Sequence, residues 1–494
     1  MGRFYNYLVT LASAMGGFLF GYEIGIIDQI LHMDSFGLLF GLRVHNETGG
    51  RPAISPEYGD LAGWITFTFL MGAVFGSASA GFLCDFIGRR PSIFLGSILF
   101  TAGGAMQTVA PDIGVLYGGR VISGAGVGLM SAAVPLYISE TAPTENRGRL
   151  ISVYQLMVTF GILVASCVNA AILTTLTGEL EWRLAMGIQI IPALILWLLI
   201  IVLPFSPRWL VMKGRDKGAL RVLARLRNGS EQSAAVQSEF KAIKREDADE
   251  RAAGSASWME LFQDGVRMRI FLGVVLQAFQ QWTGINVVLY YAAKLFTDMG
   301  FAEFDASVTL VIINAAINFL ATFPGMWLVE RIGRKKLMVL GGIAMGLSHC
   351  CVCMMLGLAR LLNNKNLWWG AVVFLYIFTI AFAASWGPVV WVYQSEIFSM
   401  STRAKGTSLS TVSNWAWNAI IAKITPTFFA HADYFTYLIF GGFGFLMSAF
   451  ALFFVPETRG RSLEDMDQIF GRVPDRIHQK RVKNGVDNIA MEKI

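Results

Sequence analysis

The chain has 494 residues, of which 54% are hydrophobic and only 15% are charged. Soluble proteins contain about 45–50% apolar and about 25% charged residues, and one soluble core stops growing at about 250–300 residues. The composition therefore excludes a soluble fold and predicts a polytopic membrane protein. The net charge of +6 does not indicate nucleic-acid binding, because the basic residues lie in short loops between apolar stretches.

Twelve apolar stretches follow one another at about 20 residues per transmembrane helix, and we number them span 1 to span 12. Several are longer than a bilayer requires, which predicts tilted or extended helices. The predicted spans are residues 7–31, 58–83, 91–110, 113–139, 149–173, 183–203, 267–297, 304–329, 337–360, 367–398, 404–430 and 434–455.

One long connection falls midway along the chain. It is rich in charges of both signs, and Leu220, Leu223 and Leu226 follow a helical period, so short surface helices are expected with a looser stretch near 246–257. The predicted domains are an N-terminal six-helix half (1–203), a cytosolic helical linker (204–266), a C-terminal six-helix half (267–455) and a cytosolic tail (456–494).

Loop charges predict the orientation. The loops after spans 2, 4, 8 and 10 are basic and the alternate loops are acidic or mixed, so both termini are expected in the cytosol and the protein in the plasma membrane. One Arg precedes span 1 without a small-residue cleavage site, so this span is expected to be retained. Asn46 begins a sequon in the first outer loop and is a candidate glycosylation site.

The chain contains an internal repeat. Because six spans separate the copies, both copies face the same side of the membrane. This is a parallel repeat about an axis along the membrane normal, the arrangement of the two halves of the major facilitator fold. Residues 85–90 (DFIGRR) recur as 330–335 (ERIGRK), and Tyr137, Ser139, Glu140 and Arg147 recur in order as Tyr393, Ser395, Glu396 and Arg403.

These motifs resemble those of a known family. The loops after spans 2 and 8 resemble the major facilitator signature, and residues 135–149, 280–291 and 456–460 resemble the sugar porters. The resemblance covers about residues 16–463 and implies an all-α polytopic membrane protein of twelve helices in two pseudo-symmetric halves. Phe205 departs from the family's usual Glu, and Phe86 from a frequent basic residue, which bears on gating strength rather than substrate class.

Charged residues at the inner ends of the spans exceed what topology requires. Glu140 and Glu396 each precede an Arg by seven residues, and the resemblance implies inter-helix salt bridges that close the cytosolic side in the outward-facing state. Such a network can bias two states a few kcal/mol apart although each exposed pair contributes little. The predicted gate contains Asp85, Arg89, Glu140, Arg147, Glu330, Arg334, Glu396 and Arg403.

Amides inside the spans are expensive in lipid and therefore indicate a functional site. Gln281 and Asn286 point about 140° apart on a regular helix, so a bend or break at Gly284 is predicted to turn both toward one cavity. Amides donate and accept hydrogen bonds as hydroxyls do, which suits a neutral polyhydroxylated ligand, and Trp rings stack on a sugar. The candidate binding residues are Gln155, Gln280, Gln281, Asn286, Asn318, Trp391, Asn414, Trp415 and Asn418.

The resemblance adds roles to some of these positions. Gln155, Gln280, Gln281 and Asn286 match the family's sugar-contacting positions, and Phe20 and Trp386 match its aromatic lining positions. Ile162 keeps one position apolar, as in hexose-preferring members. The alternative is that the amides only bond helix to helix, at about 0.6 kcal/mol each.

An acid lies within span 1. Glu23 is surrounded by apolar residues, where a lone carboxylate costs about 3 kcal/mol on insertion scales, and Arg120 in span 4 is the expected partner. In proton-coupled sugar porters an acid at the matching position pairs with the matching Arg. A permanent structural ion pair is the alternative, so proton symport and uniport both remain open.

Three further features have plainer interpretations. Asp28 is expected to be a solvated charge at the outer end of span 1, and Lys423 to extend to the outer surface from span 11. His349 lies beside Cys350, Cys351 and Cys353, but neighbouring Cys on a helix point apart and lipid excludes a hydrated metal. No metal site is expected.

Together these features predict a monomeric carrier of a monosaccharide, glucose or a related hexose, that works by alternating access. A pentose, polyol or inositol carrier is an alternative, and a non-transporting sugar sensor is an alternative of another class. Sensors of this family usually carry long cytosolic tails, and only a short stretch follows Pro456. No cofactor is expected except a proton as coupling ion, and no nucleophile–base pair or nucleotide loop suggests an enzyme.

Overall fold

The computed structural model describes residues 2–46, 52–253, 258–262, 266–290, 296, 308–364, 366–461 and 466–470. In the first half, span 6 is divided at Gln189 and the other spans are continuous. The helices of spans 1 to 6 are Gly2–Leu31, Tyr58–Phe86, Arg89–Val109, Ile113–Thr141, Arg147–Thr175, and Glu179–Ile188 with Ile190–Val202. A short 3-10 helix, Thr144–Asn146, precedes span 5.

In the second half, spans 7 and 10 are divided in the same way. The helices of spans 7 to 12 are Arg267–Trp282 with Ile285–Tyr290, Leu310–Arg331, Arg334–Leu361, Asn366–Ala384 with Trp386–Glu396, Arg403–Ala432 and Thr436–Phe454. A 3-10 helix, Asp433–Phe435, joins the last two spans, and a short helix, Met466–Ile469, lies in the tail.

The loop after span 1, on the side predicted above to be extracellular and here called the outer side, contains the only β-structure in the described ranges. Helix Asp34–Phe40 is followed by strands Arg43–Val44 and Ala53–Ile54, which pair antiparallel with Arg43 opposite Ile54. Asn46 is exposed just beyond the first strand, and the rest of its sequon lies outside the described residues. Within the described residues, the structure therefore departs from the all-α prediction only in this two-stranded sheet.

The linker is helical for longer than expected. Its helices are Pro207–Met212, Asp216–Arg227 and Ala234–Ala253, followed by the 3-10 helix Trp258–Phe262. The expectation of a looser stretch from residue 246 was wrong as far as residue 253. Within that segment Arg251 pairs with Asp247 one turn earlier at 2.8 Å and donates to the Met212 carbonyl at 2.8 Å, which ties the helix end to its neighbour.

Within the described chain, ten helical stretches are long and apolar enough to cross a membrane. One of them, Arg403–Phe454, contains both span 11 and span 12, and the described part of span 7 is not among the ten. The prediction of an all-α polytopic membrane fold is confirmed.

Within the described residues three spans are broken, one at a glycine and two shortly before a proline. The predicted break in span 7 is confirmed, because Gly284 adopts a φ of +85° that favours glycine. The breaks at Gln189 and Ser385 were not predicted. Each lies three residues before a proline, Pro192 or Pro388, which cannot donate the backbone hydrogen bond that a continuous helix needs.

Small residues allow the helix backbones to approach closely, as is typical of membrane interfaces. Spans 2 and 4 illustrate this: a Cβ atom added to Gly72 would lie 2.1 Å from the Val121 carbonyl oxygen, and one added to Gly128 would lie 2.0 Å from that of Ala73. Neither neighbour is a flexible side chain. These glycines therefore set the spacing within the first half.

We expect Gly128→Ala to lower the thermal stability of the purified protein in detergent, because overpacking costs about 1–3 kcal/mol. Gly442→Ala in span 12 is the matched control, since its added Cβ would meet nothing within 4 Å. Fluorescence-detected size-exclusion chromatography after heating measures both. Equal melting of the two variants would contradict the close packing of spans 2 and 4.

Candidate functional site

Gln280 on span 7 connects to the break in span 10. Its side-chain nitrogen donates to the carbonyls of Trp386 and Gly387, at 2.9 and 3.2 Å. Across the two halves, Gln155 of span 5 faces the same point, because a Cβ on Gly387 would lie 3.4 Å from its side-chain nitrogen. The two predicted glutamines thus converge from opposite halves on one backbone segment.

A network of amides extends from Gln280 toward the side predicted above to be cytosolic, which we call the inner side. Asn414 on span 11 donates to the side-chain oxygens of Gln277 and Gln280, at 2.6 and 2.8 Å. Gln277 donates in turn to Gln394 at 2.6 Å. Gln277 and Gln394 were not predicted, although Gln277 lies one helical turn before Gln280 and Gln281 and extends the same polar face.

The break at Gly284 brings Gln281 and Asn286 together. Asn286 donates from its side-chain nitrogen to the side-chain oxygen of Gln281, and both residues are buried. On a regular helix they would diverge. The predicted effect of the break on these two residues is therefore present in the structure.

Two other predicted asparagines retain free hydrogen-bonding capacity. Asn318 on span 8 and Asn418 on span 11 are each 1% exposed. Among the residues that the structure describes, no donor contacts the side-chain oxygen of either. An unsatisfied buried acceptor costs about 1–3 kcal/mol, so each oxygen is suited to receive a hydroxyl from a bound ligand.

The aromatic candidates divide into two groups. Trp415 donates to the Ser131 hydroxyl in span 4 at 3.0 Å and lies 4.9 Å from the Phe20 ring, and Trp391 packs on Tyr154 at 5.5 Å. These contacts cross between the halves. Trp386 differs, because its buried indole donates to the Met338 carbonyl of span 9 at 2.8 Å. Its backbone, not its ring, meets Gln280.

Glu23 and Arg120 form an ion pair inside the first half. Their side chains are 1% and 2% exposed, and their closest charged atoms are 3.0 Å apart. Arg120 also donates to the Ile65 carbonyl at 2.6 Å, while Gln107 and Gln189 flank the carboxylate. These two glutamines were not predicted. The second carboxylate oxygen, Oε2, has no hydrogen-bond partner in the described part of the chain.

Two other charges near the outer side behave differently from each other. Asp28 is 5% exposed and lines a small cavity between the halves with Ser166 and Asn314, so the expectation of a solvated charge was wrong. Residues of spans 5, 7 and 8 line the same cavity and cover the side chain. Lys423 is half-exposed and reaches to within 4.0 Å of Asp60, as expected of a side chain that extends to the surface.

The inner face holds two equivalent ion clusters, one in each half. Arg89 contacts Glu140 at 2.8 Å and Asp85 at 3.3 Å. Arg334 contacts Glu396 at 2.8 Å and Glu330 at 3.2 Å. A hydroxyl completes each cluster, Ser206 on Glu140 and Thr458 on Glu396.

Other contacts join the halves across the inner face. The Glu330 carboxylate accepts the Arg149 backbone N–H at 3.1 Å. Glu246 of the linker contacts Arg208 at 3.1 Å and Arg403 at 3.8 Å. Arg147, in contrast, donates to Thr144 of its own half at 3.3 Å and does not join the halves through this bond. The structure is therefore closed on its inner side.

The two clusters differ where the sequence departs from the family pattern. In the second half, Glu457 accepts the backbone N–H groups of Arg334 and Lys335, at 3.0 and 3.1 Å, at the start of span 9. The residue in the corresponding place of the first half is Phe205. Its ring stacks on Trp209 and lies 4.8 Å from the Arg90 guanidinium. A carboxylate contact at a helix N-terminus is thus replaced by a cation–π contact.

Comparison with known proteins identifies the family. Residues 9–470 match the family model described as sugar (and other) transporter. The chain belongs to this family, within the major facilitator fold. Among its relatives is a galactose-proton symporter from Escherichia coli, 36% identical over 87% of this chain and 91% of that protein.

Other relatives and solved structures agree with this assignment. An H(+)/hexose cotransporter from Parachlorella kessleri is 33% identical over 95% of this chain and 87% of that protein. A high glucose sensor from Saccharomyces cerevisiae is 32% identical over 95% of this chain, which spans 61% of the sensor's length. The proton:xylose symporter XylE bound to 6-bromo-6-deoxy-D-glucose superposes with a TM-score of 0.84, at 29% identity over 95% of this chain and 100% of that chain.

The inward-open conformation of XylE from E. coli superposes less well. Its TM-score is 0.69, at 28% identity over 94% of this chain and 99% of that chain. The sequence identities are nearly the same, so the lower score reflects conformation. This agrees with the closed inner face described above.

We expect Glu396→Gln to increase the population that is open to the inside. The substitution keeps the side-chain shape but removes the main charge that balances buried Arg334. A reporter is Ser408→Cys, because Ser408 is buried between the halves and donates to the Ser77 carbonyl at 2.6 Å. Labelling by a membrane-impermeant maleimide in inside-out vesicles should accelerate on the order of 10-fold, the effect of about 1.4 kcal/mol.

Asp60→Asn on the outer face is the control for loss of a carboxylate and should leave the labelling rate unchanged. A rate in Glu396→Gln equal to that of the parent protein would show that the second cluster does not hold the inner side closed.

Proposed function

We propose that the protein carries a hexose such as D-glucose across the plasma membrane by alternating access, as a monomer with both termini in the cytosol. Sugar transport follows from the family to which the chain belongs. Support for a hexose comes from the relatives named above as galactose and hexose transporters and from Ile162, which keeps one wall of the site apolar. Support for the orientation comes from the basic inner loops.

The observation that carries the proposal is the set of buried amides between the halves. Gln280, Gln281 and Asn286 come from one half and Gln155 from the other, while Asn318 and Asn418 retain unsatisfied acceptors. A neutral ligand with several hydroxyls can both donate to and accept from such groups. None of these site residues is an Arg or Lys that could neutralise a phosphate or carboxylate.

The geometry also supports a transport cycle. With both inner ion clusters formed, the sugar enters from outside and binds the amides of the two halves. The outer ends of spans 1 and 7 then close over it, aided by the break at Gly284. When the clusters separate, the cavity opens to the cytosol. No covalent step is needed, because differential binding of the two states is sufficient.

Proton coupling is the finer part of the proposal. Glu23 is a buried carboxylate with one oxygen engaged by Arg120 and the other, Oε2, unpartnered in the described chain. A proton can occupy that oxygen when the Arg moves away. Uniport is the second candidate, favoured if the pair stays closed throughout the cycle. A sensor role is favoured only by the likeness to the yeast glucose sensor.

Substitution of the binding amides tests the substrate site. In proteoliposomes, Gln281→Ala and Asn286→Ala are each expected to reduce initial uptake of labelled D-glucose at least about 10-fold, because each removes paired hydrogen bonds from a buried site. Gln237→Ala in the linker removes an amide that donates to the Glu231 carbonyl of the same linker and should retain uptake.

Full uptake in both site variants would refute the site assignment. Absence of uptake in the parent protein, with galactose, xylose and inositol also untransported, would instead favour the sensor.

Replacement of the buried acid tests the coupling. We expect Glu23→Gln to retain exchange of labelled for unlabelled glucose but to lose accumulation driven by an inward proton gradient, because the amide cannot release a proton. Accumulation and counterflow assays on the same vesicles measure the two properties. Arg183, which pairs with Glu179 in the outer part of span 6, provides the control variant Glu179→Gln. Accumulation that persists in Glu23→Gln, or survives a protonophore in the parent, would defeat proton symport.

A further inference from the structure

A histidine on span 9 contacts the break in span 7. The ring nitrogen Nε2 of His349 lies 2.9 Å from the Thr283 carbonyl oxygen, and His349 is 1% exposed. A carbonyl oxygen can only accept. Nε2 therefore carries the proton and donates to it.

The position of this contact follows from how span 7 breaks. After the break, the first regular helical bond runs from the Val288 N–H to the Gly284 carbonyl at 3.2 Å, so helical bonding does not extend back to the Thr283 carbonyl. The Thr283 hydroxyl is already used, donating to the Gln280 carbonyl at 2.7 Å. In a membrane, a backbone carbonyl released by a break needs a partner from a neighbouring helix. His349 supplies it.

Packing fixes the ring in this position. The His349 ring lies 4.2 Å from that of Phe378 and 6.0 Å from that of Phe440. Phe440 also packs on Gly284, where span 7 breaks, since a Cβ added to Gly284 would lie 3.1 Å from its ring. The other ring nitrogen, Nδ1, has no hydrogen-bond partner among the described residues. The neutral ring thus makes one directed hydrogen bond from an aromatic pocket.

The break separates two groups of binding amides. Gln280 and Gln281 end the first helix of span 7, and Asn286 begins the second. Any rotation at Gly284 would move Asn286 away from Gln281, to which it donates. We propose that His349 is a positioning residue: its hydrogen bond to the Thr283 carbonyl holds the span 7 break in the geometry in which Gln281 and Asn286 face one ligand. The proposal rests on the proposed sugar site.

Three variants separate this role from simple filling of the pocket. His349→Phe keeps an aromatic ring without the donor. His349→Gln restores a donor, because its side-chain nitrogen is separated from Cα by the same number of bonds as the Nε2 atom of histidine. His349→Asn carries the same amide one methylene shorter and cannot reach the carbonyl.

For D-glucose uptake in proteoliposomes, we expect His349→Phe and His349→Asn to raise KM on the order of 10-fold with kcat within about threefold of the parent. His349→Gln should restore KM to within about threefold of the parent value. A role in packing alone would give the opposite order, with Phe close to the parent and Gln impaired, and would overturn the proposal.

A second measurement does not depend on the substrate. Hydrogen–deuterium exchange of residues 285–290 in the purified, sugar-free protein should be faster in His349→Phe and His349→Asn than in the parent, and normal in His349→Gln. Unchanged exchange in all three variants would show that His349 does not hold the span 7 break in place, even if the protein does transport sugar. If exchange is faster in His349→Phe and His349→Asn but the protein transports no tested sugar, the proposed function is refuted while the role of His349 at the span 7 break stands.

Discussion

A polar group inside a bilayer must find its hydrogen-bond or ionic partner within the protein. Backbone groups meet this constraint by forming helices, and close glycine contacts such as that of Gly128 with span 2 bring the helices together. Each exception then needs a specific partner. The buried arginines Arg89, Arg120 and Arg334 each contact a carboxylate, and the carbonyl at the span 7 break contacts His349. Among the described residues, acceptors on Asn318 and Asn418 remain unsatisfied within the amides proposed to bind sugar, and Glu23, Asn169 and Gln189 also retain one elsewhere.

The internal repeat places the same cluster of charges at the inner face of each half. The same four-part cluster occurs twice, with an Arg at the start of spans 3 and 9, an acid one turn earlier, an acid from spans 4 and 10, and a hydroxyl after spans 6 and 12. The ion pairs of each cluster lie within one half, and Glu330 also accepts the Arg149 backbone N–H of the other half, so this contact must break as well when the inner side opens. The exchange of a carboxylate for Phe205 makes the first cluster different from the second, so the two halves need not release equally.

Sequence patterns predicted the spans, the repeat, the buried acid–arginine pair and the break at Gly284, because these depend on composition, spacing and the special conformation of glycine. They did not predict the breaks at Gln189 and Ser385, since several prolines of other spans lie in unbroken helices. They also misjudged Asp28 and did not indicate that the Trp386 indole bonds to span 9. Burial of Asp28 and the direction of the Trp386 indole depend on which helices pack against them, and one-dimensional periodicity carries no such information. Gln394, Gln107 and Gln189 were overlooked for the same reason, whereas the helical spacing of Gln277 from Gln280 and Gln281 could have revealed it.

An experimental structure of the protein with D-glucose bound would test whether the amides between the halves form the sugar site. We expect the sugar to lie between the halves, with its hydroxyls within hydrogen-bond distance of Gln281 and Asn286. At least one hydroxyl should donate to the open side-chain oxygen of Asn318 or Asn418. A sugar bound elsewhere, with those two oxygens still unsatisfied or paired only with protein groups, would contradict it.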